Sequence, residues 1–314
     1  MPNSPKLLRG VIPPVCTPFT ADYEVDEKSL RRLINYLLDG GVTGLFVLGS
    51  TSEVAYLTDK RRADVIRITI DETAGRVPVV AGAIDMTTLR TNEHVRAAVA
   101  AGIDGIVVTG PFYARTHPEE IALHFRMVKK ECGDLPLYAY NIPVATNGVK
   151  LEVDTVLKLA NEGVIQGLKD SSGNDAGIRA VVLGAQKMGL KEFVVLTGSE
   201  LTVDSALMAG AHGVVAGVGN IDPAGYVKIF NLVAAGDYKS ARAEQERLTE
   251  MFGLADVGAL GRMGRGSSAI GAFKASLKLL GIIDDARVAP PQIPLNSDEI
   301  AAILPFLRNA NLLK

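Results

Sequence analysis

The chain has 314 residues, 47% of them hydrophobic and 22% charged, and its 33 basic and 35 acidic side chains leave a net charge of −2. That near balance, with the signs interspersed, offers no basic excess to attract nucleic acid or an anionic membrane surface, so a small-molecule partner is expected. Two cysteines, Cys16 and Cys132, are too few for a disulfide framework and stand in no metal-ligand spacing, so both are expected reduced.

The opening Met1-Pro2-Asn3-Ser4-Pro5-Lys6-Leu7-Leu8-Arg9 lacks the apolar core of a signal peptide, and no later run has the apolar length to cross a bilayer. A cytoplasmic protein is expected. Apolar, β-branched runs then recur at Val11–Cys16, Gly44–Leu48, Val77–Ala83, Gly105–Val108, Leu135–Asn141, Val164–Leu168, Phe193–Leu196 and Gly213–Val218. They are continuous rather than alternating, as for strands buried on both faces, and nearly all are separated by helical stretches. Eight such units predict a closed α/β barrel of the (β/α)8 type over residues 1–222.

Between the runs, Asp26-Glu27-Lys28-Ser29 opens a helix with Leu30, Leu33, Ile34, Leu37 and Leu38 at helical spacing, closed by Gly40-Gly41. A second helix starts near Thr58-Asp59 and ends at Gly75. His94 falls in the third helix and His124 in the fourth, His117 precedes Pro118 at the fourth's start, and His212 sits in a loop; none has a second histidine at ligand spacing. After Asn220 no further strand is predicted. Pro223–Ala235, Tyr238–Val257, Ile270–Leu280 and Asp298–Arg308 read as helices, with a glycine-rich loop around Gly258–Gly266 and a stiff connector at Ala289–Pro294. Residues 223–314 are therefore expected to be a helical region packed on the barrel.

In such barrels chemistry sits in the loops after the strands. Val164-Ile165-Gln166-Gly167-Leu168-Lys169-Asp170-Ser171-Ser172-Gly173 brings a lysine to a strand tip. An ammonium drawn among apolar neighbours is poorly solvated, which favours the neutral amine, and that amine attacks ketone carbons. The alternative is a lysine that snorkels to solvent or pairs with Asp170. Gly49-Ser50-Thr51-Ser52-Glu53 is a small polar turn suited to a carboxylate. Thr109-Gly110-Pro111-Phe112-Tyr113 and Tyr140-Asn141-Ile142-Pro143 bring aromatic residues to the rim, and Thr197-Gly198-Ser199-Glu200 and Gly217-Val218-Gly219-Asn220 complete it. One lysine, a hydroxyl-rich turn and one or two phenols, with no metal cluster or dinucleotide fingerprint, suit Schiff-base chemistry on a 2-oxo acid and imply no cofactor. A phosphate-binding barrel centred on Gly217 and Gly219 is the alternative, though no basic residue accompanies that pair.

Tyr140-x-x-Pro143-x-x-Thr146 followed by Gly167-Leu168-Lys169-Asp170-Ser171-Ser172-Gly173 resembles the dihydrodipicolinate synthase and N-acetylneuraminate lyase family of pyruvate-dependent class I lyases, and the likeness runs along nearly the whole chain. The resemblance implies Lys169 as the Schiff-base residue, Tyr140 as general acid/base, and Ser50 and Thr51 on the pyruvate carboxylate. It also implies a proton relay from Tyr140 through Ser50 to Tyr113 of a neighbouring subunit, with Val215, Gly198 and Glu200 lining the substrates, and hence a homotetramer built as a dimer of dimers. Two positions depart from the pattern. Ser52 stands where the family has glycine, and Ala145 where dihydrodipicolinate synthases carry an arginine for the aldehyde's carboxylate. The Tyr-Asn-x-Pro-x-Ala-Thr form is similar to that of 2-keto-3-deoxy sugar acid aldolases, so an aldolase on a 2-oxo-3-deoxy sugar acid or related 4-hydroxy-2-oxo acid is expected. The alternatives are dihydrodipicolinate synthase itself and a silent paralogue that binds a 2-oxo acid, for which Ser52 is the hint.

Overall fold

A computed structural model describes residues 7–314, so most of the stretch read above for a leader lies outside the described residues. Eight parallel strands alternate with helices: β1 (Gly10–Val11), α1 (Glu27–Asp39), β2 (Leu45–Val47), α2 (Asp59–Thr73), β3 (Val79–Gly82), α3 (Thr88–Ala100), β4 (Gly105–Thr109) and α4 (Pro118–Cys132) form the first half. The second half is β5 (Leu137–Asn141), α5 (Val153–Asn161), β6 (Gly167–Asp170), α6 (Asp175–Lys187), β7 (Val194–Thr197), α7 (Val203–Met208) and β8 (Gly213–Val214). Consecutive strands pair from β2 to β8, and β8 pairs with β1. Closure comes from the segment after β1, where the Val15 amide donates to Phe46 O at 2.8 Å and the Phe46 amide to Pro13 O at 3.1 Å. The fold is a (β/α)8 barrel.

Two apolar layers follow from strand alternation. Ile12, Phe46, Val107, Tyr138, Tyr140 and Leu196 fill the barrel interior, while Leu45, Val47, Ile106, Val108 and Leu168 pack outward under the helices. Side-chain caps set the helix starts: the Asp26 carboxylate accepts from Ser29 N, and His117 with Glu120 forms a reciprocal capping box on α4.

Several boundaries differ from expectation for local reasons. The first run is a regular strand only at Gly10–Val11, because Pro13 and Pro14 have no N–H for a ladder. The sixth strand is Gly167–Asp170 rather than Val164–Leu168. Val164 N closes α5 through Leu159 O, and backbone bonding to the neighbouring strands begins at Gln166, whose N–H donates to Leu137 O at 2.8 Å and whose C=O accepts from Val194 N at 3.1 Å. The Gln166 side chain accepts from Leu137 N at 2.9 Å and donates to Gly163 O at 2.8 Å. The eighth run leaves the ladder after Val214 and tightens into a 3-10 turn at Gly217–Asn220. There the Asn220 carboxamide accepts from Cys16 N and donates to Pro14 O.

Beyond this turn lie α8 (Pro223–Ala234), packed against β1, then α9 (Tyr238–Phe252), α10 (Arg265–Leu279), α11 (Ser297–Ala301) and α12 (Leu304–Asn309). The last predicted helix is thus two short ones, with Pro305 opening the second.

Candidate active site

Lys169 is the third residue of β6, opposite Tyr140 on β5 and Leu196 on β7. Alternation sends Leu168 out towards the helices and Lys169 into the barrel. The residue is 4% exposed, and its Nζ lies 3.9 Å from the Tyr140 ring centroid and 4.7 Å from that of Phe46. Those two rings meet edge to face, 6.3 Å apart. Lys169 therefore neither snorkels nor pairs with Asp170. The Asp170 carboxylate is occupied elsewhere, accepting from Asn141 Nδ2 at 2.8 Å, Ser172 N at 2.8 Å and Ser172 Oγ at 2.6 Å.

The polar turn follows β2. Gly49 O accepts from Ser52 N at 3.1 Å and Ser50 O from Glu53 N at 3.0 Å, which folds the turn on itself. Positive φ falls on Leu48 and Glu53 and not on Ser52. Serine in the place of glycine is therefore unstrained, and its hydroxyl donates to Val15 O at 2.5 Å. Leu48 O lies where a Cβ on Gly82 would stand at 2.0 Å, so β3 needs glycine beside the turn's entry. Ser50 and Thr51 are half-buried on the turn.

On the opposite side, the Gly198 amide donates to Asp170 O at 2.7 Å and the buried Val215 amide to Thr197 O at 2.8 Å. A Cβ on Gly198 would meet Ser171 Oγ at 2.0 Å. Glu200 accepts from Gly217 N at 2.9 Å through Oε1. Burial raises its carboxyl above the ordinary value, opposed by that amide and by the nearby Lys169 charge. Two expected site residues lie at the periphery: Tyr113 is 80% exposed, and Ala145 is exposed on a 3-10 turn after β5.

Lys274 is not among the residues expected at the site from the sequence. It is fully buried in α10 and forms an ion pair with Glu53, the last residue of the polar turn. The available signal was a lysine enclosed in Ala272-Phe273-Lys274-Ala275.

A family model, that of the Dihydrodipicolinate synthetase family, matches residues 7–308. A 4-hydroxy-tetrahydrodipicolinate synthase of Methanothermobacter thermautotrophicus is 37% identical over 74% of this chain and 82% of its own length. Among solved structures, YagE, a prophage protein of the dihydrodipicolinic acid synthase family from E. coli K12 in complex with pyruvate, superposes with a TM-score of 0.90 at 29% identity, covering 98% of this chain and 100% of its own. A monomeric dihydrodipicolinate synthase variant gives a TM-score of 0.90 at 26% identity, with 100% of both chains covered.

Proposed function

Because the chain belongs to the dihydrodipicolinate synthetase family, whose relatives are lyases of the class I aldolase type, we propose that it is a pyruvate-dependent Schiff-base lyase with Lys169 as nucleophile. The observation that carries this reading is the burial of Lys169 Nζ between the Tyr140 and Phe46 rings, with the adjacent carboxylate committed to Asn141 and Ser172. The structural neighbour solved with pyruvate supports it.

In the proposed reaction the Lys169 amine adds to the ketone carbon of a 4-hydroxy-2-oxo acid and water leaves, giving a protonated imine. Tyr140 takes the proton from the 4-hydroxyl as the C3–C4 electron pair moves into the imine, releasing an aldehyde and leaving an enamine. Protonation at C3 and hydrolysis return pyruvate and the free amine. Ser50 and Thr51 hold the carboxylate, Val215 and Gly198 line the substrate, and Glu200 faces the hydroxylated half. Tyr113, exposed in one chain, is supplied to the neighbouring site in a homotetramer.

The substrate we favour is a 2-oxo-3-deoxy sugar acid or related 4-hydroxy-2-oxo acid, because Ala145 has no cation for an anionic aldehyde. The names of the relatives favour a second reading, condensation of pyruvate with aspartate semialdehyde. A silent 2-oxo acid-binding protein is the third reading, and it rests on Ser52 alone, whose hydroxyl donates to Val15 O.

The test is incubation with pyruvate and borohydride, followed by mapping of the adduct and a comparison of uncharged with anionic aldehydes. An adduct on Lys169 and preference for uncharged aldehydes are expected. An adduct on another lysine would overturn the site, and efficient condensation with aspartate semialdehyde would replace the favoured substrate by the second.

A further inference from the structure

Glu53 and Lys274 both have side chains with 0% exposure. Their surroundings are specific. Glu53 Oε1 accepts from Ala289 N at 2.6 Å and Gln292 Nε2 at 3.1 Å, and Oε2 faces the Lys274 ammonium. Lys274 Nζ donates to Arg287 O at 3.0 Å and lies 4.1 Å from the Phe19 ring centroid. Burial pushes Lys274 below its ordinary value, and the Glu53 carboxylate opposes the shift.

Stability does not account for this pair, because a fully buried ion pair can commonly be replaced by apolar groups of similar volume without loss. Geometry does. Glu53 has φ of 61°, a conformation that a non-glycine residue keeps only when its surroundings over-determine it. Its side chain, held by Ala289 N, Gln292 Nε2 and the Lys274 ammonium, emerges two residues from Thr51 and three from Ser50. From the β1 side the same turn is held by Ser52 Oγ on Val15 O and by Thr17 Oγ1 on Ser52 O at 2.9 Å. The turn is thus clamped between the barrel and the carboxy-terminal helices.

We infer that the Glu53–Lys274 pair is a positioning device through which residues 274–292 hold the turn that receives the substrate carboxylate, so that the carboxy-terminal region sets affinity for the 2-oxo acid. The inference rests on the Schiff-base reading above, with Ser50 and Thr51 on that carboxylate. Neither Glu53 nor Lys274 touches substrate; both act through the turn.

The test compares wild type with the paired variant Glu53→Gln and Lys274→Met, which removes both charges at nearly constant volume, and with Gln292→Leu, which removes one neutral anchor. The readouts are kcat and the pyruvate concentration that half-saturates both turnover and borohydride labelling of Lys169. The paired variant should need about tenfold more pyruvate, with labelling complete at saturation and kcat nearly unchanged, the pattern of lost uniform binding. Gln292→Leu should show a smaller rise of the same kind. Unchanged half-saturation in the paired variant, or a fall in kcat alone, would overturn the inference. If the paired variant does not fold, unchanged half-saturation in Gln292→Leu overturns it. Absence of any wild-type adduct would overturn the Schiff-base reading itself and this inference with it. Wild-type half-saturation in Ser50→Ala with Thr51→Val would remove the carboxylate from the turn while leaving the Lys169 chemistry standing.

Discussion

Lys169 Nζ lies 3.9 Å from the centroid of the Tyr140 ring, and the two residues are direct register partners on adjacent parallel strands. The barrel ladder itself therefore sets their separation, with no loop between them. A group fixed in this way keeps its orientation through the reaction.

Lys169→Ala should abolish pyruvate labelling and turnover while the protein still folds. The substitution removes a side chain that forms no ion pair or hydrogen bond among the described residues; Glu200 loses a nearby cation but keeps its bond from Gly217 N, so no buried hydrogen-bond partner is orphaned. Thermal unfolding should shift by no more than about 4 °C, on the scale of small effects in chains of this size. Residual labelling mapped to another lysine would disprove the assignment.

Tyr140→Phe separates the hydroxyl from the ring. The ring face that covers Nζ and meets Phe46 is retained, so pyruvate binding should change little. Turnover should fall by roughly 10²–10⁴-fold, the usual share of general acid/base catalysis. Steady-state kinetics decide it, and an unchanged kcat would remove the phenol from proton transfer.

Much of this arrangement was legible in the sequence because each feature is local. Eight apolar runs, the Asp26 cap and the lysine at the end of Val164–Leu168 each report on a few neighbouring residues. Strand ends blurred where a side chain took a place next to the backbone ladder: the Gln166 carboxamide accepts from Leu137 N before β6, and the Asn220 carboxamide accepts from Cys16 N after β8. Lys274 stayed hidden for a different reason. A lone lysine in an apolar helix reads as one that snorkels to solvent, and its partner Glu53 lies in a turn remote in sequence.

His124 supplies a pH prediction. Its Nε2 bonds to Thr109 O at 3.1 Å and its Nδ1 meets Thr88 Oγ1 at 3.0 Å, so the neutral ring bridges α3 and β4. Burial lowers it from 6.5 to about 4, against the Thr109 carbonyl. A depressed value in the folded state means that the unfolded chain binds more protons between these limits, so stability is lost as pH falls from about 6.5 towards 4. The loss amounts to about 3 kcal/mol. In His124→Gln this contribution is absent, so the stability difference from wild type should shrink by that amount between pH 7 and pH 4. Parallel denaturation curves across the range would contradict it.

Ala145 gives the handle on substrate choice. Its amide closes a 3-10 turn on Ile142 O at 3.0 Å, its methyl is exposed, and the buried Thr146 beside it anchors the turn through Ile142 O at 2.9 Å and Val149 O at 3.1 Å. The backbone is thus fixed by its neighbours, and a longer side chain has solvent to grow into. In Ala145→Arg a guanidinium at the rim would offer a carboxylate two parallel hydrogen bonds. Charge-assisted bonds of this kind contribute about 1.5–3 kcal/mol, or roughly 10–150-fold in kcat/KM for aspartate semialdehyde. The same cation, left unpaired, should lower kcat/KM for an uncharged aldehyde such as glyceraldehyde. The two effects have opposite signs, so the ratio of efficiencies measured on one preparation is insensitive to the active fraction. If wild type already used both aldehydes equally well, or if Ala145→Arg left the ratio unchanged, recognition of the aldehyde would have to come from other loops, and Ala145 would carry no information about the substrate.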